Sequence, residues 1–343
     1  MPDIIGEQID RLVTIELKNR GMPHDFLHAL YQAAREEGGG RPLCMRAAEG
    51  LAERVGKGDV VFVMTGAGYP PHMPKGESDG PPGAAAIARA LYWGLGAVPV
   101  FVNEAIHSDP IVASSEAAAL MVKPFADAKE RRLGAALAEA PTDQAAVAAW
   151  AKQIYDDYRP KAVISIERLG PNEHGIISSA TGWAIGPETG IIDLAPVITE
   201  AEQRSVFSIG IGDHGNEIGF GRILEAAKDI MPHGRKGQSD TPGGSITAVA
   251  TDVLIPCMMS NWGAYGVEAA LTFLLRKADL MHTPAMEERI VTKCLDAGGL
   301  EAMYCSTAFM VDNCQGESSM AVVQLLRDMV RLNLQSPDVG VAH

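Results

Sequence analysis

The sequence predicts an α/β protein with a largely parallel sheet flanked by helices in three layers. Three observations carry this reading. Short, continuous, β-branched runs at 59–64, 98–102, 162–166 and 206–211 have the length and apolarity of strands buried on both faces. Segments with apolar residues at helical spacing lie between them, and two of these runs, at 59–64 and 206–211, and a further strand candidate at 246–256 end in glycine-rich polar turns. At 343 residues the chain can bury a core without cross-links. The expected organisation is N-terminal helices at 1–58 packed on the core, an α/β domain at 59–333 and a loose tail at 334–343.

Ile5, Ile9, Leu12 and Val13, then Phe26, Leu27, Leu30 and Tyr31, predict two helices broken at Gly21-Met22-Pro23, with Glu16, Lys18, Arg35 and Glu36 on solvated faces. A third helix is expected over 45–55. The strand at 59–64 discharges into Thr65-Gly66-Ala67-Gly68 and a proline-stiffened loop at 69–83, whose glycines allow close backbone approach. In that loop Glu77 and Asp79 stand two residues apart before an alanine-rich helix at 84–95, where they could share a cation or where Asp79 could simply cap the helix. Strand 98–102 ends in Asn103-Glu104; helices follow over 113–121 and 143–158, with 123–140 too weakly patterned to assign. Strand 162–166 ends in Glu167-Arg168, a structural ion pair or a functional one by its place at a carboxyl end. A helix is expected through Glu200 and Glu202, another over 223–230, a strand over 246–256, a turn at 260–266, and helices over 267–275, 286–297 and 318–332 around a loop at Asp312-Asn313.

The formal charge of −14 and sequence pI near 5.1 give no general attraction for nucleic acid or an anionic membrane. Five cysteines without a C-x-x-C pair indicate neither a disulfide framework nor a zinc ribbon and suit a reducing compartment. No basic segment precedes an apolar core at the start, and the longest apolar run, 247–267, carries Asp252, Pro256 and Asn261. The expectation is a cytoplasmic protein with a small-molecule partner; self-association into a homo-oligomer is left open.

The centre of the chain is 208–221, Ser-Ile-Gly-Ile-Gly-Asp-His-Gly-Asn-Glu-Ile-Gly-Phe-Gly, which gathers Asp213, His214, Asn216 and Glu217 among five glycines. Gly210, Gly212 and Gly215 fit G-x-G-x-x-G after a strand, but a dinucleotide site needs a helix from the third glycine. Gly219 and Gly221 follow at once, each costing roughly 1 kcal/mol against alanine in a helix. Asp213 would also stand in the path of a phosphate. Carboxylate and amide oxygens are instead hard ligands suited to Mg²⁺ or Mn²⁺, so a metal or polar-substrate site is the favoured reading and no nucleotide is expected. A purely structural glycine turn is the bland alternative.

Five motifs in one order, T-G-A-G-Y-P-P (65–71), G-E-S-D-G-P-P-G-A (76–84), S-I-E-R-L-G (165–170), G-I-G-D-H-G-N-E-I-G-F-G (210–221) and S-N-W-G-A-Y (260–265), resemble the D-glutamate cyclase family, in particular the C-terminal part of its longer, mitochondrial members. The resemblance covers 59–275 and extends more loosely over 285–333. It implies an α/β enzyme that closes D-glutamate to 5-oxo-D-proline with loss of water in a metal-assisted site. Two features depart from the family's pattern: Ser178-Ser179-Ala180-Thr181-Gly182 replaces an aromatic-Asn-basic segment, and His214 stands where glycine is usual. For an amine to attack a carboxylate, the carboxylate charge must be neutralised, the ammonium deprotonated and an oxygen lost as water. Glu77, Asp79, Asp213 and Glu217 are the expected ligands of a divalent cation that acts as Lewis acid. Glu167 is the expected base, Arg168 the anchor for the α-carboxylate, Asn216 and Asn261 orienting donors, His214 a general acid, and Gly66 and Gly68 backbone neighbours of the substrate. Two alternatives stand beside it: a metal-dependent phosphate ester hydrolase on the same carboxylate cluster, and a non-catalytic binder of an acidic metabolite, which would need no cation.

Overall fold

The computed structural model describes residues 2–17, 21–68, 70–131, 133–186, 189–238 and 242–335. Lys18, Tyr69 and all of the expected tail from 336 onward lie outside the described residues. Six parallel strands, β1 (Val60–Thr65), β2 (Val98–Glu104), β3 (Ala136–Ala140), β4 (Ala162–Ile166), β5 (Phe207–Gly212) and β6 (Val253–Pro256), form one sheet in the order β3-β2-β1-β4-β5-β6. The chain runs outward from β1 to β2 and β3, then returns to lay β4 on the other side of β1. The switch point of the sheet therefore falls between β1 and β4, where open parallel sheets place their ligands.

Alternation of side chains along the strands builds the three layers. Val61, Val63, Ile164, Ile166, Ile209 and Ile211 face a core shared with α1 (Pro2–Val13), α2 (Phe26–Glu37), α3 (Leu43–Arg54), α4 (Pro81–Ala90), α10 (Ser260–Leu274) and α12 (Gly316–Leu334). Val60, Phe62, Met64, Val100 and Val163 face α7 (Gln144–Tyr158) and α8 (Ala195–Gln203). Helices α5 (Ser108–Ala117), α6 (Phe125–Arg131), α9 (Leu224–Ile230) and α11 (Pro284–Asp296) complete the set. Helix α10 is the axis of the first layer: Ser260 through Phe273 are all buried. A Cβ on Gly263 would come within 2.5 Å of Ile211 and 2.6 Å of Cys257, so glycine is what lets this helix lie directly on the sheet.

Several sequence boundaries are corrected. The 260–266 motif is the first turns of α10 and not a turn before it, because its small residues pack instead of bending the chain. The expected strand at 246–256 shortens to β6; the stretch before it pairs with a loop, Thr247 N–H donating to Gly215 O and Gly219 N–H to Val249 O. The expected helix over 113–121 starts and ends earlier, as α5. The unassigned 123–140 holds α6 and β3, whose Ala-Leu-Ala-Glu-Ala sequence carries little β signal but pairs in register with β2. After α4 the expected helix continues only as a π-helical turn, Leu91–Leu95.

Candidate functional site

The register Thr65↔Ile166, Ile166↔Ile211 and Ile211↔Ile255 brings the carboxyl ends of β1, β4, β5 and β6 to one level. The loop after β1 is stitched to the C-terminal segment: Ser78 N–H donates to Leu300 O at 2.8 Å, Leu300 N–H to Gly76 O at 3.1 Å, and Ser78 Oγ to Met310 O at 3.1 Å. Asp79 is a helix cap, but for a different helix from the one expected. Its oxygens accept Ser260 N–H at 2.8 Å and Asn261 N–H at 2.7 Å at the start of α10, where a carboxylate also meets the positive end of the helix dipole. Asn261, expected as a substrate donor, is a staple. Its Oδ1 accepts from Gly80 and Gly83 N–H at 2.9 and 2.7 Å and its Nδ2 donates to Ser78 O, which commits the carbonyl oxygen and one amide proton within the fold.

At the end of β4 the chain turns at Glu167, which adopts a left-handed backbone with φ of 50°. This turn resolves how neighbouring residues divide their work. Glu167 faces the cavity, where its Oε2 accepts the Ser260 hydroxyl at 2.5 Å. Arg168 goes the other way. Its buried guanidinium grips Glu104 through both terminal nitrogens, Nη2 to Oε1 at 2.6 Å, and also donates to Gly66 O and Ile192 O. The reading of Arg168 as a substrate anchor is therefore corrected: it ties the ends of β2 and β4 together and does not line the cavity. Gly66 likewise serves that tie through its carbonyl, whereas Gly68 lines the cavity.

After β5 the 213–219 segment folds back on the strand. A Cβ on Gly210 would lie 2.5 Å from Ile218 O and 2.6 Å from Gly219 Cα, so the glycines permit this close crossing and no helix starts where a dinucleotide fingerprint requires one. Glu217 closes the turn by accepting His214 N–H at 3.2 Å and Gly215 N–H at 2.9 Å. The His214 ring stacks on Phe26 with centroids 6.1 Å apart, and its Nδ1 meets Asp213 Oδ1. Asn216 donates to Ser178 O at 3.0 Å, while its buried Oδ1 has no partner.

These loops surround a cavity of about 200 Å³ lined by Glu77, Glu167, Asp213, Glu217 and Asp312 with His214 and Asn216. A larger cavity, about 960 Å³, lies around the starts of β5 and β6 and holds none of the expected site residues. Burial first, and then mutual repulsion, raises the pKa values of Glu77, Asp79, Glu167 and Glu217 well above the usual carboxylate range. Among the described residues, none of these four has a lysine or arginine within 4.0 Å. Carboxylates held together in this way need protons or a cation. One ligand atom from each of Asp79, Asp213 and Asp312 lies within 4.8 Å of the others, and the same is true of Asp213, His214 and Glu217. Glu77 falls outside both triads but borders them.

Asp312 entered the sequence reading only as a loop residue and not as part of the site. It sits in the two-residue turn of a hairpin, β7 (Met310–Val311) and β8 (Cys314–Gln315), where Asp312 and Asn313 have φ of 49° and 64°, the two positive values of a type I′ turn. Glu301 holds that turn by accepting Asn313 N–H at 2.7 Å. An Asp-Asn pair between short apolar runs is the signal that could have found the hairpin; its distance in sequence from the other carboxylates hid its place in the site. Glu104 and Ser260 were missed as supports for the same reason.

Residues 9–327 match the family described as D-glutamate cyclase-like, C-terminal. The chain is also similar to a human protein named D-glutamate cyclase, mitochondrial, with 28% identity over 222 residues that cover 62% of this chain and 33% of that relative. The match thus spans about a third of the relative's length. Among the described residues, no helix is long and apolar enough to cross a membrane. On the match over nearly its whole length, this chain belongs to the D-glutamate cyclase-like C-terminal family.

Proposed function

We propose that the protein closes D-glutamate to 5-oxo-D-proline with loss of water, using a divalent cation, Mn²⁺ or Mg²⁺, held by Asp79, Asp213 and Asp312 with Glu77 and Glu217 beside them. The observation that carries this reading is the buried carboxylate cluster at the switch point of the sheet. Its donors are hard oxygens, the set that Mg²⁺ and Mn²⁺ prefer, and burial with mutual repulsion raises the proton affinity of Glu77 and Asp79, a cost that a bound cation would offset. When bound, such a cation supplies Lewis acidity to the side-chain carboxyl group.

The chain's own residues supply the rest. Glu167 is the proposed base: burial and the surrounding carboxylates raise its proton affinity, the property needed to take a proton from the substrate ammonium near neutral pH. The Ser260 hydroxyl fixes its Oε2, leaving the other oxygen for the substrate. The unpartnered Oδ1 of Asn216 is an acceptor for the ammonium. His214, oriented by Asp213 and Phe26, is the proposed acid for the departing oxygen. The acidic metabolite the protein would recognise is D-glutamate itself or a derivative of it.

The test is to incubate purified protein with D- and L-glutamate in Mn²⁺, in Mg²⁺ and in chelator, and to quantify 5-oxoproline. Conversion of the D isomer that requires a cation is expected. No conversion under any of these conditions sinks the cyclase reading, and turnover of a generic phosphate ester in its place would transfer the cluster to a hydrolase.

A further inference from the structure

The cavity of about 960 Å³ around the starts of β5 and β6 has the size of a small-molecule site and gathers four arginines on a chain whose formal charge is −14. Two of the four are spent. Arg41 holds Asp3 at 2.6 Å and Glu49 at 2.9 Å; Arg54 pairs with Glu53 at 3.2 Å and lies 4.8 Å from the centre of the Phe207 ring. The other two, Arg46 on α3 and Arg222 in the turn Gly221–Ile223, converge on the C-terminal end of α2. Arg46 Nη1 lies under Gly38, where a Cβ would come within 2.2 Å of it, so the glycine leaves the room that this guanidinium occupies. Arg222 reaches the adjoining Glu37 at 3.5 Å across a partly exposed contact, the kind of pair that contributes little. Among the described residues, no carboxylate lies within 4.0 Å of the Arg46 guanidinium. Burial lowers its pKa, and repulsion from Arg222 and then Arg41 lowers it further, against the pull of Glu49. Of the carboxylates lining the cavity, Glu49 and Glu53 are taken by Arg41 and Arg54, Asp252 accepts the Ser208 N–H at 2.8 Å and its hydroxyl at 3.1 Å, and Glu202 belongs to α8 on the other face of the sheet.

We propose that this cavity binds a multiply charged oxyanion between Arg46 and Arg222, either free phosphate or the phosphate group of a small metabolite. Planar guanidinium forks match the oxygens of such a group in pairs, and an anion placed there relieves the repulsion among the arginines. The site goes beyond the cyclase reading and stands without it. Its wall is nevertheless shared with the loops of the carboxylate cavity. Arg222 follows directly on the 210–221 motif and donates its N–H to Gly219 O at 3.0 Å, while Val249 O accepts from Gly219 and Gly221 N–H at 2.8 and 3.1 Å. Ala248 N–H donates to Pro171 O at 2.8 Å, in the loop that follows Glu167 and Arg168. An anion that fixes Arg222 against Arg46 therefore acts on the backbone that carries Asp213 and Glu217, which makes this a position for an effector and not for a substrate.

Titration calorimetry with pyrophosphate tests the site without any turnover, with ionic strength matched by sodium chloride and chelator present so that no cation carries the anion to the carboxylate cavity. Saturable binding is expected, weakened at least 10-fold in Arg46→Gln and in Arg222→Gln, the equivalent of about 1.4 kcal/mol. A thermal melt verifies that each variant is folded, and where one is not, the other decides. Arg54→Gln removes the same charge from the same cavity and should keep the wild-type affinity. In the wild type, pyrophosphate should also slow hydrogen exchange of the backbone amides at 213–221. No saturable binding, or equal weakening in Arg54→Gln, overturns the proposal whether or not the protein cyclises D-glutamate. Binding that leaves exchange at 213–221 unchanged overturns the effector role.

Discussion

Replacing Arg168 by methionine separates the two roles its position allows. In the fold its side chain is 1% exposed and that of Glu104 5%, and they are joined by a bidentate contact. Burial alone would raise the Glu104 pKa, but the guanidinium and His107 hold it far below the usual carboxylate range. Because the folded value is depressed, the stabilisation is present above the unfolded value of 4.5 and is lost as pH falls toward the folded one. Arg168→Met leaves a buried carboxylate without its partner, a change that costs about 3–5 kcal/mol. With an unfolding entropy of about 2.1 cal/mol/K per residue, a chain of 343 residues loses about 4–7 °C in Tm at pH 7 for that cost. Calorimetric melts of Arg168→Met, Glu104→Gln and the double variant measure the coupling. The double variant should fall short of the summed single losses by about 1–3 kcal/mol, and the gap between wild type and Arg168→Met should narrow below pH 4.5. A Tm within 1 °C of wild type, combined with a raised KM for D-glutamate, would refute the structural assignment and restore Arg168 as a substrate anchor.

Glu167→Gln should lower kcat by about 100-fold or more while Tm holds or rises, since one member of a repelling cluster loses its charge; an unchanged kcat removes Glu167 as the base. Asp312→Asn should weaken Mn²⁺ binding in titration calorimetry at least 10-fold, and undiminished binding would take the C-terminal hairpin out of the site. Chelation should lower the Tm of the cation-loaded protein, because a ligand present at about 100 times its Kd stabilises the native state by about 2.7 kcal/mol. His282 is buried between Glu268 and Glu287; burial lowers its pKa, but the two carboxylates raise it from 6.5 to about 9. A raised folded pKa gives stability that is complete below pH 6.5 and lost as pH climbs through about 9. Wild-type Tm should therefore fall across that window by an amount that reflects up to about 3 kcal/mol, and His282→Gln should flatten the profile. A flat wild-type profile would contradict it.

Local sequence determined the fold class and most of the strands. Val60–Thr65 and Ala162–Ile166 are β-branched and buried on both faces, so their composition alone announces a parallel sheet, and the turns after them are marked by glycine and proline. It failed at β3, where alanines carry no β preference and pairing with β2 decides the state, and at 260–266, where a motif that looks like a turn is a helix start. In the site, the residues Glu77, Asp79, Glu167, Asp213 and Glu217 were legible because each lies in a loop that follows a strand, and parallel strands deliver such loops to one edge. Which way each side chain points was not legible. The left-handed turn at Glu167 sends that residue into the cavity and Arg168 to Glu104, and Asn261 is spent on the 78–83 loop. Asp312 enters through a hairpin almost a hundred residues from the nearest of these carboxylates. Only tertiary structure could decide these points, because burial and repulsion act through space: a carboxylate's proton affinity depends on what surrounds it, and that neighbourhood is assembled from loops the sequence keeps far apart.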